Sequence, residues 1–155
     1  MLFLLFSIGK DRYVIEANRI IEVAPLVELR SLPQSPRGLA GVMNYRGKPV
    51  PVLDLCQLTS ERPASERLST RIIILKHPAA KQSERLIGLI AERVTQVMHK
   101  EPGEFVSAQL NNANAPYLGP IILDAAGAIQ WIDAERLLSE EFRRLVFSDS
   151  MALSA

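Results

Sequence analysis

The chain has 155 residues, a formal net charge of +1 and one cysteine, Cys56. That length suits one domain or two very small ones. The near-neutral balance offers nucleic-acid phosphates no broad basic face, and a lone cysteine excludes a disulfide framework within the chain, which fits a reducing cytoplasm.

Leu2 to Ile8 is a continuous apolar run and reads as a strand covered on both faces. It is far shorter than the roughly 20 residues of a spanning helix, and it lacks the flanks of a signal peptide. Gly9-Lys10-Asp11 is a turn, and Arg12 to Glu16 resumes the strand pattern with Tyr13, Val14 and Ile15. Asn18 suits the cap of a short turn, before Ile20, Ile21 and Val23 gather around Glu22. Val27 to Leu32 alternates apolar with charged residues, as a half-buried strand does.

The most informative stretch is Gly38 to Leu55. Leu39 to Tyr45 leads into the tip Asn44-Tyr45-Arg46-Gly47, and Pro49 to Leu55 leads out. The tip sets a guanidinium beside a glycine that takes φ > 0 freely. Pro49 and Pro51 cannot donate to a ladder, so their strand belongs at an edge or a barrel seam.

Thr59 to Ser69 is polar, contains proline and reads as a linker. Arg71 to Lys76 is a strand, His77 to Arg85 a charged hairpin loop, and Leu86 to Ala91 and Val94 to Met98 are two more strands. Lys100 to Pro116 is a long irregular loop. Tyr117 to Leu123 and Ala128 to Ile132 form a last hairpin. Asp133 caps a helix over 134–147, with an apolar stripe of Leu137, Leu138, Phe142, Leu145 and Val146, and 148–155 is a frayed tail. The sum is an all-β chain of nine or ten short strands. Two packed barrels of about five strands bury enough surface, where one of roughly 60 residues alone is marginal.

Six pieces, in order, resemble the CheW family of bacterial chemosensory adaptors. They are Tyr13-Val14-Ile15, Ile20-Ile21-Glu22-Val23, Leu32-Pro33 with Pro36 and Gly41-Val-Met-Asn44-Tyr-Arg46-Gly47, Pro51-Val-Leu-Asp54-Leu55, Gly88-Leu-Ile-Ala-Glu-Arg-Val94, and Ile132-Asp133 with Leu137-Leu138. Tyr45 stands where leucine is usual, Ala91-Glu92 where Val-Asp is usual, and Arg71 where an apolar residue is common. The resemblance implies two intertwined five-stranded SH3-like β-barrels followed by the C-terminal helix, with the first strand packed into the second barrel. The expected division of the single domain is 12–68 for one barrel and 2–8 plus 69–138 for the other.

The resemblance also implies no enzymatic activity and no cofactor. It implies a scaffold that couples a chemoreceptor's cytoplasmic tip to the regulatory domain of a CheA-type histidine kinase, in the cytoplasm at receptor arrays. Carried over residue by residue, the receptor groove is Ile20, Glu22, Val23, Asn44, Arg46, Gly47, Thr70 and Arg71. A Wsp-type pathway, whose output is cyclic-di-GMP, is the alternative that the Tyr45 turn and the short apolar start resemble.

The residues also carry readings of their own. Arg46 is either displayed to a partner or bonded to its own barrel, and one guanidinium can do both. Glu22 is expected to pair with it across the groove between the barrels, each holding the other in position. Cys56 and Trp131 read as packing residues, and His77 and His99 have no partners at metal-ligand spacing. An enzyme reading finds no nucleophile–base set or phosphate loop in the sequence, and a nucleic-acid barrel would need more than 6% aromatics and a basic groove.

Overall fold

The computed structural model describes residues 1–60, 62–76, 85–107 and 115–137. Its elements are β1 (Leu2–Ile8), β2 (Asp11–Glu16), a 3-10 turn at Ala17–Arg19, β3 (Ile20–Pro25), β4 (Leu39–Tyr45), β5 (Lys48–Asp54), α1 (Leu55–Ser60), β6 (Arg71–Lys76), β7 (Leu86–His99), β8 (Leu118–Asp124) and β9 (Gly127–Ile132). None of the described helices is long and apolar enough to cross a membrane.

The strands fall into two five-stranded groups that share β7. In the first, the order is β3-β6-β7-β5-β4, using residues 86–91 of β7. In the second it is β7-β1-β2-β9-β8, using residues 92–99. Each group closes through an isolated bridge from the segment that continues its edge strand: Arg30 to Val42 on β4, and Val106 to Ile121 on β8. The second group repeats the first in permuted order. Both contain an antiparallel hairpin, a capped short helical turn and a parallel pairing (β5 with β7, β9 with β2). The caps correspond too. The Asp54 carboxylate accepts from the Cys56 and Gln57 N–H groups, and Asp133 accepts from Glu135 N–H.

Why the strands read as unbroken apolar runs follows from side-chain alternation. On β6, Ile72 and Ile74 fill the first barrel with Met43, Tyr45 and Val52. Ile73 and Leu75 point the other way, into the core between the barrels, where they join Leu4, Phe6, Ile15, Leu53 and Leu89. On β1, Phe3 fills the second barrel with Val14, Phe105 and Ile129, while Leu4, Phe6 and Ile8 face the shared core. Each such side chain is worth roughly 1.5–3 kcal/mol of burial. The barrels are therefore glued by one face of the strands that build them. Trp131 packs edge-on to Phe3 and Phe105, with centroids 4.9 and 5.1 Å away.

Three expectations are corrected. Residues 86–99 are one 14-residue strand, not two. The polar Glu92-Arg93 pair looks like a break, but a bulge with Arg93 at φ 50° absorbs it and lets the strand pass from one barrel to the other. Residues 27–32 do not form a strand; only Arg30 bridges, and Gly41 opposite it is required because a Cβ there would sit 2.6 Å from the Arg30 carbonyl oxygen. The division at 12–68 and 69–138 does not follow the pairing, because β6 and the front of β7 belong with β3–β5, and β2 belongs with β1. Asp133 is the expected cap, here of a 3-10 turn at Ala134–Arg136; the rest of the expected helix, from 138, lies outside the described residues, as do 77–84 and 108–114 of the expected loops.

Pro49 and Pro51 pair with Asn44 and Val42 on β4, and the parallel pairing to β7 starts only at Val52. They occupy the seam, where a missing N–H is harmless.

Candidate functional site

The β4–β5 hairpin is joined by two residues, with Tyr45 opposite Lys48. Both loop residues are left-handed, Arg46 at φ 51° and Gly47 at φ 84°, as a type I′ turn requires. Glycine accepts this freely; an arginine does so at a cost of about 1–3 kcal/mol. The Asn44 side-chain oxygen accepts from Gly47 N–H at 2.9 Å and braces the turn.

Arg46 is held further from outside the turn. Its Nη2 donates to Glu22 Oε1 of β3 at 3.0 Å, and its Cζ lies 5.2 Å from the centroid of the Tyr45 ring. Tyr45 is buried, and its hydroxyl donates to the same Glu22 oxygen at 3.3 Å. The Arg46 side chain is still 74% exposed and that of Glu22 39%. An ion pair this open contributes about 0–1 kcal/mol, less than the strain at Arg46. The arrangement fixes a charge in solvent rather than stabilising the fold. The Glu22–Arg46 pair is present, but not across a groove between barrels as expected: it lies within one barrel, between its edge strand and its hairpin. Tyr45 was not foreseen as its third member; a phenol replacing leucine next to the arginine was the available signal.

The remaining groove candidates divide. Ile20 and Val23 are half-buried and pack on the shared core. A bulge in β3 between Ile20 and Glu22 turns Ile21 out instead, 42% exposed beside the pair, and sequence reasoning had not selected it. Thr70 and Arg71 open β6, at the other end from Ile74, which faces Glu22. Thr70 is 1% exposed and donates to Ser65 O at 2.6 Å; Arg71 Nη1 donates to Val94 O at 2.8 Å. The structure does not bring these two to the Arg46 cluster. They also stand in the first barrel, not at the start of the second.

A second polar cluster lies where the barrels join. The expected linker is tied down as a strap. Ala64 N–H donates to Asp54 Oδ2, and Ser65 N–H to Glu92 Oε2, both at 2.9 Å. Glu92 Oε1 also accepts from Gly9 N–H of the β1–β2 turn and from Arg62 Nη2. Burial alone would push the Glu92 carboxyl up, but the N–H groups of Gly9 and Ser65 and the Arg62 guanidinium outweigh it and bring it down to about 2. Nearby Cys56 is fully buried, and burial together with the Glu92 and Asp54 charges pushes its thiol up to about 12. Neither position was singled out for this network. An acid placed directly after the apolar run Gly88 to Ala91 was the signal that could have found Glu92.

Comparison with known proteins follows the same geometry. The family model described as "CheW-like domain" matches residues 2–142. The chain is similar to the chemotaxis protein CheW of Klebsiella aerogenes, 27% identical, covering 98% of this chain and 89% of that one. It is also similar to protein FrzA of Myxococcus xanthus, 32% identical over 46% of this chain and 45% of that one. Among solved structures it resembles the scaffolding protein TtCheW from Thermoanaerobacter tengcongensis, with a TM-score of 0.73 at 22% identity, covering 84% of this chain and 82% of the other. That likeness carries the all-β, twin-barrel fold.

Proposed function

Because the chain belongs to the family of CheW-like domains, we propose that it is a non-catalytic adaptor that couples a chemoreceptor-type signalling tip to a CheA-type histidine kinase. The supporting observation is the Arg46 turn. A guanidinium is kept in a strained backbone state, oriented by Glu22 and Tyr45, and left in solvent. Strain of that kind at an exposed charge suits recognition. A receptor tip docks on this turn, on Glu22 and on the exposed Ile21 beside them.

The kinase regulatory domain takes a different face. A standard contact buries about 800 Å² on each partner, so one rigid body of this size has room for two. Receptor state then biases the kinase through the difference in contact free energy between its conformations. The test is a three-component titration with a receptor tip fragment and a kinase regulatory domain from the same genome. Adaptor function predicts a ternary complex that neither partner forms with the other alone. Binding that is mutually exclusive, or absent for both partners, contradicts it.

A further inference from the structure

The strap between α1 and β6 crosses the point where β7 passes from one barrel to the other. Ser69 O accepts from Val94 N–H at 2.9 Å, which sets the strap against the β7 bulge. On the strap side, Thr70 N–H donates to Arg67 O at 3.0 Å, and Thr70 Oγ1 donates to Ser65 O at 2.6 Å. On the β7 side, Arg93 is exposed and left-handed, at φ 50°, where glycine or asparagine would be free of strain. The backbone segments that carry Arg67, Ser69 and Arg93 are thus tied to one another.

Between them is a cavity of about 160 Å³. The residues that line it carry three guanidiniums, of Arg62, Arg67 and Arg93, and one carboxylate, of Glu92. Glu92 is already engaged: its Oε1 accepts from Gly9 N–H and Arg62 Nη2, and its Oε2 from Ser65 N–H. Gly9 leaves room for this, since a Cβ there would stand 3.1 Å from Arg62 Nη2. Arg62 and Glu92 therefore balance each other, and the charges of Arg67 and Arg93 are left over. Their guanidiniums, and the hydroxyl of Ser69 on the same cavity, have no hydrogen-bond or ion-pair partner among the described residues. Two like charges that share a small cavity without a counter-charge repel each other, and an anion between them removes the repulsion.

We propose that this cavity is a binding site for a tetrahedral dianion: inorganic phosphate, or the phosphoryl end of a phosphate monoester. Arg67 reaches it from the strap and Arg93 from the β7 bulge, each as a charge-assisted fork, and the Ser69 hydroxyl donates to a further oxygen. The volume suits one oxyanion group and is well under the roughly 300 Å³ at which pockets for larger ligands begin. A bound dianion ties the strap to β7 at the joint between the barrels. Thr70, on the same cavity, stands at the other end of β6 from the residue that faces Glu22, so the site is separate from the Arg46 turn. It goes beyond the adaptor reading and does not depend on it.

The experiment titrates the full chain with inorganic phosphate by calorimetry, with ionic strength held constant by sodium chloride, at about pH 8, where phosphate and its monoesters are dianions. One saturable site with a dissociation constant of about 1 mM or tighter is expected. R67Q/R93Q weakens it by about tenfold or more and S69A by about threefold, while R46Q, which removes an exposed arginine elsewhere, leaves it unchanged. Without phosphate, the Tm of R67Q/R93Q matches that of the unaltered protein, because the two guanidiniums have no partners in the fold. With about 10 mM phosphate, Tm rises in the unaltered protein and not in R67Q/R93Q. Methyl phosphate separates the two sources: affinity equal to that of inorganic phosphate assigns a monoester, and lower affinity assigns the free ion. A dissociation constant weaker than about 1 mM overturns the proposal, as does unaltered affinity in R67Q/R93Q. A loss in R46Q as large as that in R67Q/R93Q overturns it too, since general attraction to positive charge would then account for the binding.

Discussion

The Arg46 guanidinium meets the Glu22 carboxylate at 3.0 Å while 74% of the arginine side chain remains in solvent. The two come from β3 and from the β4–β5 turn, 24 positions apart in sequence. Tyr45 adds its hydroxyl to the same carboxylate oxygen and its ring to the guanidinium. The pair is therefore a positioned charge, and its variants separate folding from recognition.

Replacing Arg46 with asparagine creates an Asn-Gly turn, the preferred sequence for this geometry. R46N is expected to stabilise the fold by roughly 0.5–1 kcal/mol through relief of strain, and to weaken the receptor tip by about tenfold. Thermal unfolding and a binding titration on the same sample check both signs. A variant that loses stability shows instead that Arg46 holds the barrel together.

The double exchange E22R/R46E restores an ion pair with the charges reversed. Stability should stay within about 1 kcal/mol of the original, because the pair is exposed. Receptor binding should stay lost, since the displayed sign is wrong. Recovery of binding in the exchange would mean that the pair matters only as a brace.

Glu92 predicts an acid-dependent loss of stability. Its carboxyl lies at about 2, against an ordinary 4.5. A lowered carboxyl favours the folded state fully above the unfolded value, and that contribution disappears as pH falls from about 4.5 toward 2. The shift corresponds to roughly 3 kcal/mol at neutral pH. Asp124, lowered to about 2 chiefly by its Arg12 hydrogen bonds, titrates in the same window, so the comparison must be with E92Q. Urea unfolding should show E92Q well below the unaltered protein at about pH 6, with the gap closing toward pH 2. An equal gap at both pH values would exclude the ionised carboxylate as its source.

Cys56 should be inert in the native state. With its thiol buried and pushed up to about 12, almost no thiolate is available at neutral pH. A thiol reagent should react at the rate of unfolding, and at full speed in denaturant. Rapid reaction with the folded protein would show instead that the thiol is accessible and ionised in the native state.

Much of this architecture is legible in the residues. β1, β4 and β6 stand out because strands buried on both faces leave long apolar runs, and the hairpin stands out because Arg46-Gly47 sits between two such runs. The passage of β7 through both barrels is not legible, since Glu92-Arg93 imitates a loop until the strap and the Gly9 turn are seen to satisfy it. Nor is the fate of 27–32, whose alternation is genuine but whose backbone pairs only at Arg30. At the site, Glu22, Asn44, Arg46 and Gly47 were readable as a set. Ile21 depended on a bulge in β3, and the position of Thr70 away from Arg46 depended on the register of β6 against β3.

The most direct measurement is the affinity of the R46E variant for each partner, with Tm recorded alongside. An adaptor that displays Arg46 to the receptor predicts an unchanged Tm, undiminished binding of the kinase regulatory domain, and loss of the receptor tip by about tenfold or more. Receptor binding that survives the reversal at full strength contradicts the account.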